Sequence, residues 1–112
     1  MPTVTFKPKI LAGQSLSDAV DCSGGDIMYV MMPPAWERAN ISFQASPDNV
    51  LFGDICTEDG KEVMIPCLAG TAVQIPPGLT AAKGSWLKIR SGSRNYPVMQ
   101  TIDQEFIIVV GS

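Results

Sequence analysis

Histidine is absent from the 112 residues. Its absence removes the commonest general base and the commonest metal ligand together, and a serine triad built on histidine is excluded. Charge is also scarce: eight basic and eleven acidic side chains give a net charge of −3. The basic residues are scattered, so no stripe exists to neutralise a row of phosphates, and nucleic acid is not expected as a partner. No segment approaches the roughly 20 apolar residues that would span a bilayer. The opening MPTVTFKPKILAG sets lysines within an alternating pattern where a signal peptide would carry an unbroken apolar core, so a soluble protein without membrane contact is expected. The three cysteines, Cys22, Cys56 and Cys67, match neither a zinc spacing nor a redox motif. They read as small buried apolar residues, although Cys56 and Cys67 fall on the two arms of an expected hairpin, where a bridge is conceivable outside a reducing compartment.

What the chain does have is apolar residues, at 46%, together with nine prolines and ten glycines. That mixture suits many short elements separated by tight turns, and the length suits one domain over 1–112. No uninterrupted window offers the three- and four-residue apolar spacing of a helix. Period two recurs instead. In Asn40 to Ser46, Ile41, Phe43 and Ala45 alternate with polar residues, which predicts a strand with one buried and one wet face. Ser46-Pro47-Asp48-Asn49 supplies turn chemistry, and a returning strand is expected from Val50 to Thr57. Asp59-Gly60 predicts a two-residue hairpin turn with positive φ at both residues, leading into Glu62 to Cys67.

Further strands are expected at Thr3 to Leu11, Leu16 to Asp21, Ile27 to Met32, Thr71 to Ile75, Ser85 to Ser91 and Glu105 to Val110, with a single helical turn conceivable over Pro77 to Lys83. Many short strands at such spacing signal a sandwich or barrel. The last strand is apolar without alternation, so both of its faces should be covered, by a central position or by another chain. Phe43, Val63, Leu87, Ile89, Phe106 and Ile108 are the expected core.

Catalytic constellations are thin. Ser42 and Ser46 fall on the wet face or at its turn, and no Gly-x-Ser-x-Gly elbow exists. Asp48 and Asp54, and then Glu58, Asp59 and Glu62, crowd turns that select such residues for their hydrogen bonds to backbone. No calcium-loop spacing appears, and no cofactor or metal is expected. Trp86, Arg90, Arg94 and Tyr96 could form a platform for a sugar, but tryptophan above an arginine stem more often shields apolar surface or meets a protein. Met28, Met31 and Met32 around Tyr29 read as core filler.

The stretch ISFQASPDNVLFGDICTEDGKEVMIP, followed later by GSWLKIRSGS, resembles small β-sandwich accessory proteins of tailed bacteriophage particles, which are similar in turn to the discoidin, or galactose-binding, jelly roll. Ile41 to Asp48, Val63 to Pro66 and Leu87 to Gly92 carry the match, within about half the chain. Lectin-like members carry an appended domain and a cluster of exposed aromatics on their loops, and neither is expected here. The resemblance implies a single antiparallel β-sandwich of jelly-roll type. It also implies a non-enzymatic virion protein assembled in host cytoplasm, as a capsid decoration (cement) protein bound to the major capsid protein. A tail or fibre component and a small carbohydrate-binding module are the alternatives, and a homo-oligomer is expected. For the contact, the segment Pro2 to Lys9 is a candidate arm or edge strand. Pro2, Thr3, Val4, Thr5, Phe6 and Lys7 are therefore candidate partner-binding residues, with Trp36, Arg90, Arg94 and Tyr96 as anchors because such side chains dominate interface hot spots.

Overall fold

The computed structural model describes residues 3–22, 24–75 and 85–111. Every regular element among them is a strand: β1 (Thr3–Phe6), β2 (Lys9–Ile10), β3 (Val20–Asp21), β4 (Asp26–Met31), β5 (Ile41–Ser46), β6 (Gly53–Asp54), β7 (Ala72–Gln74), β8 (Trp86–Ser91), β9 (Gln104–Glu105) and β10 (Ile107–Gly111). They form a first sheet in the order β1-β10-β4-β7, a second in the order β3-β8-β5-β6, and a ribbon of β2 with β9. The antiparallel pairs are nested, with β1 and β2 on β10 and β9, β3 on β8, β4 on β7, and β5 on β6. This is one long hairpin rolled up on itself, the wrapping of a jelly-roll sandwich.

The N-terminal pairing shows how sequence sets the strand limits. One register runs from Thr3↔Gly111 to Phe6↔Ile108 and resumes at Lys9↔Glu105. Between them Pro8 has no N–H to give to a ladder, yet its carbonyl accepts the Phe106 N–H at 3.0 Å and holds the register. The expected arm is thus an edge strand built into the first sheet, with Pro8 and Ile10 buried.

The core lies between the sheets. Ile41, Phe43, Leu87 and Ile89 from β5 and β8 face Val30, Ile108 and Val110 from β4 and β10, all buried. Phe106 and Trp36 close it, their rings meeting edge to face with centroids 5.3 Å apart. Of the expected core, Phe43, Leu87, Ile89, Phe106 and Ile108 are wholly buried, and Val63 packs against them half-buried. β10 lies inside its sheet, as its unbroken apolar run requires. The methionines divide: Met32 is core, Met31 is half-buried and Met28 is exposed.

Three local expectations are corrected. The polar face of β5 is not wet: Ser42 and Ser46 are both buried. Ser42 Oγ donates to the Gly92 carbonyl at 2.7 Å and Ser46 Oγ to the Asp48 carboxylate at 3.0 Å, so small hydroxyls enter the interior with partners, one from a distant loop and one from the next turn. The second arm after the 47–49 turn pairs regularly only at Gly53–Asp54. The Asp48 carboxylate collects the N–H groups of Val50 and Leu51, and that local turn displaces the start of a strand. At the next hairpin Gly60 has φ +80°, whereas Asn49 is the single non-glycine with positive φ among the described residues, so Asp59 does not share the conformation. The Gly60 N–H reaches the Thr57 carbonyl, and the Thr57 N–H reaches the Lys61 carbonyl. This is a three-residue loop with a glycine bulge rather than a two-residue turn. The conceivable helical turn at 77–83 lies outside the described residues.

Candidate protein-binding interface

Two of the expected anchors have little surface to offer. Trp36 is 6% exposed, and its indole Nε1–H donates to the Ala39 carbonyl at 3.0 Å. Arg90 is 8% exposed and held by two carboxylates, Asp54 at 2.6 Å and Glu62 at 2.9 Å. Both are corrected to structural roles, for one physical reason: large side chains that read as hot spots in sequence are also those that fill a core or neutralise buried charge. Glu62 also accepts the backbone N–H of Arg94, whose own side chain stays mostly exposed, 3.6 Å from Asp54. With Arg90 beneath this cluster, Trp86, Arg90, Arg94 and Tyr96 do not form one exposed platform. Trp86 opens β8, and Tyr96 stands in the loop beyond its other end.

Tyr96 is 81% exposed, in the loop that follows β8. Leu11, Val98, Met99 and Ile102 are also exposed, on the loops that follow β2 and β8. Backbone hydrogen bonds join these loops: Gly13 N–H to the Gln100 carbonyl at 2.7 Å and Gln100 N–H to the Gln14 carbonyl at 3.1 Å. The Ala12 N–H adds a bond to the Asp103 carboxylate.

Beneath this rim is a buried amide network. Gln100 is wholly buried; its Nε2 donates to Ser91 Oγ and the Glu37 carbonyl, and its Oε1 accepts the Glu37 N–H. Gln104 Nε2 donates to that same Oε1 and to the Ala35 carbonyl. The Glu37 carboxylate in turn accepts the N–H and hydroxyl of Thr101. At the loop's start, Gly92 has φ +85°, and a Cβ there would stand 2.5 Å from the Tyr96 carbonyl oxygen, so only glycine fits. The loop is therefore pinned at its entry, middle and exit. Val98, Met99 and Ile102 were missed in sequence because they follow no period, and Leu11 because it reads in sequence as the end of a strand that stops at Ile10; the available signal was the run Tyr96-Pro97-Val98-Met99 in a loop.

The candidate N-terminal strand meets the other requirement for a contact. Thr3, Val4, Thr5 and Lys7 are exposed and Phe6 is half-buried, and β1 is the outer strand of its sheet, with one edge on β10. Among the described residues nothing pairs with its second edge, and backbone groups on such an edge can extend a neighbour's sheet. Pro2 lies outside the described residues.

The titratable groups away from the rim serve the fold. Backbone N–H groups of Leu51 and Val50, with the Ser46 hydroxyl, hold the Asp48 carboxyl below its ordinary value. Burial, reinforced by Asp21, pushes the Cys22 thiol up to about 11, and burial also raises Cys67, so neither is an activated thiolate. All three cysteines are free. Cys56 faces Glu62 across its hairpin, and the Cys67 thiol meets the Ala39 carbonyl, which separates the pair considered for a bridge. Among the described residues no three acidic or cysteine side chains converge as metal ligands. The arrangement presents exposed apolar side chains and an outer strand. No protein-family model, curated protein or solved structure matches the chain.

Proposed function

We propose that this chain is a non-enzymatic structural protein of a bacteriophage particle, a capsid decoration protein that grips the major capsid protein. The observation that carries a binding role is the exposed apolar side chains of Tyr96, Val98, Met99 and Ile102 on a loop fixed from below, with Leu11 on the loop bonded to it. Exposed apolar surface of this kind is costly to keep in water unless a partner covers it. Fixing it in advance removes the ordering entropy that binding would otherwise lose. The particle as partner comes from the resemblance of the β5 and β8 segments to phage accessory sandwiches, and the open edge of β1 offers a second point of attachment.

The test is co-sedimentation of the purified protein with undecorated capsids of the phage that encodes it. The intact protein should pellet with them. The double variant Tyr96→Ala, Met99→Ala should keep its melting temperature, since both side chains are exposed, yet bind roughly thirtyfold more weakly, the loss of about one hot spot. Absence of co-sedimentation by the intact protein would sink the proposal, and equal binding by the variant would move the contact elsewhere.

A further inference from the structure

Beside the rim, an open groove of about 690 Å³ runs along the seam between the N-terminal strand pair and the second sheet, and three lysines, Lys7, Lys9 and Lys88, line it. In a chain of net charge −3 with scattered basic residues, this is a local concentration of positive charge. Two carboxylates stand among these lysines and offset part of their charge. Asp18, also in the lining, accepts the Lys9 backbone N–H at 2.7 Å, and Glu105 stands 3.7 Å from Lys9 Nζ in an exposed pair. Lys88 Nζ lies over the Phe52 ring, 4.4 Å from its centroid. Among the described residues, neither Lys7 nor Lys88 has a carboxylate partner.

The rest of the lining is apolar or neutral, from Leu11, Gln14, Leu16 and Ser17. The groove does not stop there. Gln14 and Leu16 also line a neighbouring hollow of about 300 Å³ that ends at Met99 on the rim. The two hollows share Gln14 and Leu16 and together make a trough, with Met99 lining one end and Lys7, Lys9 and Lys88 lining the other.

We propose that this trough holds an extended peptide segment of the partner protein, apolar where it crosses Met99 and Leu16 and carrying carboxylates where it reaches the three lysines. The inference rests on the binding role proposed above and names the chemistry of the partner at that site. A peptide fits better than a small anion because the lysines occupy only one end, and an isolated anion would leave the Leu16–Met99 end uncovered. Ammonium groups placed this way steer an acidic segment in and fix its direction.

Two measurements test it. In the first, amide chemical shifts of the protein are followed while the peptide acetyl-Leu-Leu-Gly-Glu-Asp-Glu-amide is added, alongside its Gln/Asn counterpart and inorganic phosphate. Shifts should gather at Lys9, Gln14, Leu16, Ser17 and Lys88. Binding should weaken roughly tenfold for the neutral peptide, for the variant Lys7→Gln, Lys88→Gln, and with rising salt. No shifts at these positions, or equal binding of the neutral peptide, would overturn the proposal, as would phosphate alone producing the full response.

The second measurement adds the same double variant to undecorated capsids. A loss of roughly tenfold in affinity, restored by Lys7→Arg, Lys88→Arg, supports the groove. If the intact protein binds capsids and the glutamine variant binds equally, the groove inference fails and the decoration reading stands. If the acidic peptide binds the groove while the intact protein ignores capsids, the decoration reading fails and the acidic-segment site stands.

Discussion

Arg90 gathers two carboxylates on one guanidinium, with Asp54 and Glu62 both within 3 Å. In sequence it alternates with Leu87 and Ile89 and reads as a solvent-facing cation available to a partner. In the fold, β6 and the hairpin after it return over that face, and Gln44 Nε2 adds a longer bond to Asp54 at 3.4 Å. Arg90→Ala would leave two largely buried carboxylates with only the exposed Arg94 nearby, and should destabilise by about 3 kcal/mol in urea titrations. The cluster also sets a pH dependence. Burial by itself would raise the Asp54 carboxyl, but the hydrogen bond and charge of Arg90 outweigh it and leave it below its ordinary value. A carboxyl held lower in the folded than in the unfolded chain contributes stability that is complete above the unfolded pKa. That contribution fades as pH falls through the folded one. Stability should thus decline from about pH 5 downward. Asp54→Asn, less stable at neutral pH, should show a shallower decline over that range; an unchanged slope would assign the acid sensitivity to other groups.

At the scale of elements, the N-terminal strand and β5 carry the lessons. The alternation of Thr3 to Leu11 suggests a detachable arm, but Phe6 packs on the core, Pro8 and Ile10 are buried, and the whole segment pairs in one register with β9 and β10. Deleting residues 2–9 should therefore abolish cooperative thermal unfolding, because β10 would lose a neighbour along its length. A deletion variant that still melts sharply near the wild-type temperature would show that β1 is only appended. Binding through β1 is better probed by exposed side chains such as Thr3 and Thr5, whose replacement leaves the ladder in place. In β5 the alternation correctly locates the strand and its apolar side. Its polar side is misread because alternation records polarity, whereas burial depends on what folds back over it.

For the whole molecule, stability rests on one sandwich core without disulfides, so the central side chains carry a large share. Phe43, wholly buried between the sheets, is the most exacting test. Phe43→Ala removes a ring from close-packed surroundings and should cost roughly 3–5 kcal/mol, enough to threaten a domain of ordinary stability. A denaturation midpoint like that of the wild type would mean that the cavity collapses without penalty or that the face is assigned wrongly.

The sequence alone determined the class of fold and the position of most strands. Period-two alternation, proline and glycine punctuation and the unbroken apolar run at β10 are local properties, set by the geometry of an extended chain. It also determined the inward faces of β5 and β8, because Phe43, Leu87 and Ile89 have no stable place but a core. Tertiary structure alone decided which polar groups are interior. Arg90, Ser42 and Gln100 are buried because residues distant in sequence supply their partners: Asp54 and Glu62 for the first, Gly92 for the second, Ser91 and Glu37 for the third. The same holds for the candidate interface. Leu11 and Met99 lie on separate loops, and only hydrogen bonds between those loops set them on one rim, since surface contiguity belongs to the folded chain and has no local signature.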